Sequence, residues 1–106
     1  MKHNVYYSPE KFGLTPVTGI DLGGGYDFDM FEVWTDGRKL YWDSDSGCSC
    51  PTPFEGIASL SDLGCGGVND ALRAFDTWMS RDWLSSSTRD VASVREAIRK
   101  WNPDNR

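Results

Sequence analysis

The sequence predicts an α+β fold, an N-terminal antiparallel β-meander or hairpin packed by two C-terminal α-helices. Three observations lead there. Aromatic and β-branched residues run on both sides of Asp36-Gly37; apolar residues recur at helical spacing from Val68; and a second such stripe ends at Pro103. At 106 residues the chain has the size of one domain, 1–106, mainly β over 1–56 and mainly α over 57–106.

In chain order, Ser8-Pro9-Glu10-Lys11 reads as a short helical turn, since Ser caps free amides and Pro suits the first helical position. The chain is extended from Leu14 and is broken by Gly23-Gly24-Gly25. Asp36-Gly37 then predicts a two-residue hairpin turn, because both turn residues must reach positive φ. Thr35 would face Arg38, Trp34 Lys39, Val33 Leu40, Glu32 Tyr41 and Phe31 Trp42. Side chains alternate along a strand, so Phe31, Val33, Leu40 and Trp42 form the core face, and Glu32, Trp34, Lys39 and Tyr41 point outward. Upstream, Tyr26, Phe28 and Met30 follow the opposite phase, which implies a bulge at Met30-Phe31 or a strand buried on both faces; the bulge is favoured.

Ser59 to Leu63 resembles one helical turn ended by Gly64. Val68, Ala71, Leu72, Phe75, Trp78 and Met79 share one helical stripe. Ser85 to Thr88 stops that helix and caps the next, whose stripe is Val91, Val94, Ile98 and Trp101, with Arg89, Arg95, Arg99 and Lys100 on its outer face.

The net charge of −5 argues against nucleic-acid binding, which depends on Lys and Arg neutralising phosphates. Residues 1–80 carry five basic residues against twelve acids, net −7, whereas residues 81–106 carry six against four, net +2. An acidic body with a basic tail suits a basic partner, a second copy of the chain (a homodimer) or plain solvation. No run reaches the ~20 apolar residues of a membrane span, and the start lacks a signal core, so a cytoplasmic protein without membrane contact is expected.

The segment Asp43-Ser-Asp-Ser-Gly-Cys-Ser-Cys-Pro-Thr-Pro-Phe-Glu-Gly56 concentrates the unusual chemistry. As a calcium loop it fails, because Gly47, Cys48 and Phe54 stand where an acid, a glycine and a bidentate glutamate are required. A zinc or thiol module would draw on Cys48, Cys50 and Cys65 with His3, although one residue between two cysteines makes a poor zinc knuckle. Asp43, Asp45 and Glu55 would also keep the Cys48 and Cys50 thiols protonated, against redox work. No catalytic constellation appears: His3 is the only histidine, and Asp27 and Asp29 read as solvent-facing acids on a strand. The residue pattern therefore predicts no enzyme, no cofactor and no metal, with zinc as the alternative. Two readings of the loop stand side by side. It is an ordered structural excursion anchored by Phe54, or, with outward Trp34 and Tyr41, an interaction surface comprising Trp34, Tyr41, Asp43, Asp45, Cys48, Cys50 and Glu55.

Phe31-Glu-Val-Trp34, Asp36-Gly-Arg-Lys-Leu-Tyr-Trp42 and Ser44 to Glu55, with its Ser46-Gly-Cys-Ser-Cys-Pro-x-Pro-Phe-Glu55 core, resemble a family of small uncharacterised actinobacteriophage and actinobacterial proteins. The family's motif matches Ser46, Gly47, Cys48, Cys50, Pro51, Pro53, Phe54 and Glu55 and has no counterpart of Cys65. The resemblance carries no activity. It implies a phage-type accessory protein in the host cytoplasm that binds a host or phage protein, with an acidic DNA mimic as a further alternative.

Overall fold

The computed structural model describes residues 4–23, 27–48, 54, 56–80 and 88–102. Four strands, β1 (Thr15–Asp21), β2 (Asp27–Thr35), β3 (Leu40–Cys48) and β4 (Gly64–Gly66), form one antiparallel sheet in the order β1-β2-β3-β4. Two helices follow, α1 (Val68–Met79) and α2 (Thr88–Lys100). The α+β architecture is as the sequence predicts. The short turns at Pro9–Phe12 and Leu60–Asp62 are 3₁₀ helices, and the Ser8 side chain makes no capping bond.

Strand β2 pairs with β3 in nine unbroken steps, so no bulge falls at Met30-Phe31 in this pair; the one irregularity, between Pro16 and Thr18, lies in the pairing of β1 with β2. The change of phase reflects burial on both faces. Met30 and Phe31, adjacent and pointing to opposite sides, are both buried.

The hairpin register differs from the expected one by two residues. Thr35 pairs with Leu40, Trp34 with Tyr41 and Val33 with Trp42, across a four-residue loop, 36–39. Side chains favour the wider loop: Asp36 Oδ1 accepts the amides of Arg38 (2.8 Å) and Lys39 (3.0 Å), and Thr35 Oγ1 accepts from Gly37 (3.0 Å) while donating to the Lys39 carbonyl (2.8 Å). A slip of two residues returns every side chain to its own face.

Phe31, Val33 and Leu40 therefore do face the helices, packing with Ile20, Ala71, Phe75, Trp78, Val94 and Ile98. Phe31 meets Phe75 edge-on at 5.3 Å between ring centroids. Arg95 of α2 pairs with Asp76 of α1 rather than standing free on an outer face, and its guanidinium lies 5.5 Å from the centre of the Phe75 ring. The opposite face buries Met30, Trp34 and Tyr41 under Val5, Leu14, Phe54 and Leu63. Its cover consists of irregular chain and 3₁₀ turns. Asp29, expected in solvent, is buried.

Candidate functional site

Strand β3 begins as a core strand and changes character at Asp43. Strand β4 reaches only from Leu40 to Trp42, and beyond that point β3 has no second strand neighbour among the described residues. A bare strand edge invites pairing with another chain. Asp43 and Asp45, residue types disfavoured in strands, each accept the amide of the serine that follows, both at 2.9 Å, and so occupy amides that a foreign strand could take.

Asp45 has a second task. Its Oδ2 accepts the Phe54 amide at 2.7 Å, holding the far end of the Cys-x-Cys segment against the strand it left. Phe54 has φ +63, a left-handed conformation that a bulky residue adopts only at a cost of about 1–2 kcal/mol. Burial against the Trp34 ring, 5.6 Å away and near-perpendicular, offsets this cost together with the Asp45 bond. The expected anchoring by Phe54 is thus present. Asp45 works here as a clamp.

Asp43, half-buried, has its pKa raised: burial is the largest cause and the negative charges of Asp45 and Asp62 add to it, against the opposing Ser44 amide. Asp62 is held low by the Ala58 and Ser59 amides, at 2.8 and 3.1 Å. No Lys or Arg pairs with these three carboxylates among the described residues. Asp43, though not Asp45 or Asp62, also lines a groove of about 670 Å³ between the β3–β4 edge and α1, with Phe31, Trp42, Cys65, Arg73 and Trp78 among others. Gly64 shapes its wall: a Cβ there would stand 2.2 Å from the Trp42 indole nitrogen, so a side chain would displace the ring.

Two of the expected contact residues are in the wrong place for contact. Trp34 is 1% and Tyr41 6% exposed, so the outer face of the hairpin is a second core. The physical reason is the segment 54–63, which folds back over that face and brings Phe54 and Leu63 with it. The Tyr41 hydroxyl reaches out of this core to Asp36 Oδ2 at 3.1 Å; burial and then this bond raise its pKa. On Asp36, burial is outweighed by the two loop amides, Tyr41 and Lys39, which lower it. His3, Cys50, Glu55 and the Cys48 side chain lie outside the described residues. Cys65, an exposed free thiol, pairs in register with Tyr41, seven residues along β3 from Cys48. At ~3.3 Å per residue their backbones are about 23 Å apart, too far to ligate one zinc ion through bonds of ~2.3 Å. Cys65 therefore leaves the four-ligand set. Among the described residues no group of three or more His, Cys, Asp or Glu side chains is placed to hold a metal, and no helix is long and apolar enough to cross a membrane.

Sequence reasoning missed Glu32. It lies mid-strand between Gly19 of β1 and Asp43 of β3, on the face of the second core. Burial, and then the charge of Asp21, push its pKa up to about 7. The one available signal was a glutamate inside an otherwise aromatic and β-branched run, Phe31 to Trp34.

No curated protein and no solved structure is detectably similar to this chain. Residues 3–103, nearly its whole length, match a single family, and the chain belongs to that family, described as a domain of unknown function (DUF7574).

Proposed function

We propose that this domain is a protein-binding module, of the kind carried by phage-type accessory proteins, and that its contact surface is the groove between the β3–β4 edge and α1. The occupant is a basic segment of a host or phage protein. The observation that carries this reading is charge: Asp43, Asp45 and Asp62 gather at one end of the sheet without a cationic partner among the described residues, in a chain of net charge −5. A rim of like charge speeds encounter with a basic partner and rejects acidic ones. Half-buried Trp42 supplies the apolar contact beside it. Arg73, across the groove, already stands 3.7 Å from Asp70, so it adds no net positive charge there.

The test is affinity capture with wild-type and Asp43→Asn baits, followed by reconstitution with the purified partner. One basic protein is expected, bound in a defined ratio, with affinity falling as salt rises and roughly tenfold weaker for Asp43→Asn. A complex indifferent to both salt and Asp43→Asn would move the contact elsewhere. A nucleic-acid-binding partner that free DNA displaces would favour the DNA-mimic alternative.

A further inference from the structure

Glu32 lies outside that groove and has a geometry of its own. Its carboxyl rests on Gly19, where a Cβ would stand 2.1 Å from Oε2 and 2.3 Å from Cδ. The absence of a side chain at Gly19 therefore makes the space that the carboxyl fills. The groups facing it are Asp21 from β1, Asp43 as its register partner on β3, and Tyr6 from the N-terminal segment. Asp43 turns its carboxylate to the Ser44 amide instead. Among the described residues no cation pairs with Glu32 and no donor bonds it. The Tyr6 hydroxyl feels it as well, since burial and then the Glu32 charge raise the Tyr6 pKa.

We propose that Glu32 is a proton-controlled latch for the N-terminal segment, residues 4–12. As the neutral acid it tolerates the cover that Tyr6 places over the sheet, and as the carboxylate it favours lifting that cover to reach water. Desolvation penalises the charged form, and among the described residues no partner offsets the penalty. The segment is built to lift. Its 3₁₀ turn, Pro9–Phe12, contains no fully buried residue, and its attachment to the sheet rests on buried Val5, on partly buried Phe12 and on the Tyr6 ring, 6.0 Å from the Phe54 ring.

The sign follows from linkage. The closed form keeps the Glu32 proton up to a pH of about 7, whereas the open or unfolded chain releases it near 4.5. Closure is therefore fully favoured below the open-state value and weakens as pH rises through about 7, after which it levels off.

Two measurements on the whole chain test this. A carboxyl-carbon NMR titration of the wild-type protein should place the Glu32 midpoint near 7. Amide hydrogen exchange in residues 4–12, corrected for intrinsic base catalysis, should show opening that increases about fiftyfold between roughly pH 5 and 7.5. In Glu32→Gln the same amides should show no such rise. A wild-type midpoint in the ordinary carboxylate range, a midpoint near 7 without any change in opening, or a rise that persists in Glu32→Gln would each overturn the latch. The titration needs no variant, so a poorly folded Glu32→Gln protein leaves the proposal open to refutation.

Discussion

The two faces of this sheet are covered in different ways. On one, Phe31, Val33 and Leu40 meet α1 and α2 through Ala71, Phe75, Trp78, Val94 and Ile98, all apolar. On the other, Met30, Trp34 and Tyr41 meet irregular chain, and carboxyl groups crowd the same side of the molecule: Asp45 takes the Phe54 amide, and Asp62 takes those of Ala58 and Ser59. Backbone chemistry explains the contrast. A helix satisfies its own amides and carbonyls, so a cover made of helices needs only apolar side chains. An irregular cover has amides left over, and side-chain acceptors must take them. The acids of the second face are first of all parts of its architecture. The proposed contact with a basic partner would use the unpaired charge of Asp43, which lines the groove, with Asp45 and Asp62 adding to the negative potential near it.

If the faces differ in this way, mutations should fail differently on each. The largest effect is expected on the helix face from Phe75→Ala. Phe75 is fully buried, packs on Phe31 and Trp78, and has no polar group through which water could repair the gap. A loss of about 3–5 kcal/mol in urea unfolding is expected, a large part of the stability of a domain this size. A loss below ~1 kcal/mol would mean that the helices contribute little to this core and would break the comparison at its stronger end.

On the other face the corresponding substitution is Asp45→Ala, because a carboxylate, not an apolar side chain, ties that cover down. Two bonds to backbone amides disappear, and Phe54 keeps its unfavourable φ. About 2–3 kcal/mol should be lost. The damage should also be local: hydrogen exchange should rise across residues 54–63 before it rises in α1 or α2. Uniform loss of protection over the whole molecule would show that the two faces unfold as one.

The same contrast decides what could be read from the amino acids. The helix face was legible because one stripe, from Val68 to Met79, carries a single period and meets a strand face of the other period. The hairpin was legible in its faces and not in its register, since Asp36 and Thr35 satisfy a four-residue loop that Asp36-Gly37 alone does not announce. The second face was misread. Trp34 and Tyr41 look like surface aromatics until Phe54 and Leu63 are known to return over them, and a return set by one long-range bond to Asp45 has no periodicity. Strand β4 was missed for a related reason: Gly-Cys-Gly has no strand pattern, and its pairing with β3 is decided by where the chain leads. Of the expected contact residues among those described, Asp43 alone lines the groove, and Glu32 acquires its unusual position from Gly19, a residue on another strand.

The smallest effect is expected where the helix face does use charge. Asp76 and Arg95 join α1 to α2, and a pair between two helices could be taken as the device that fixes their packing. Both side chains keep substantial contact with water, 52% and 37% exposed, so solvent screens the attraction and each charge would be well hydrated without its partner. A double-mutant cycle through Asp76→Asn and Arg95→Gln should therefore give a coupling of about 0.2–1 kcal/mol, shrinking as salt is added. Arg95→Ala should cost somewhat more than that coupling, because the stem of the side chain also covers the Phe75 ring. A coupling above ~2 kcal/mol, insensitive to salt, would show that the helix face too is held by a polar clamp, and the distinction between the faces would then lie in the geometry of their covers alone.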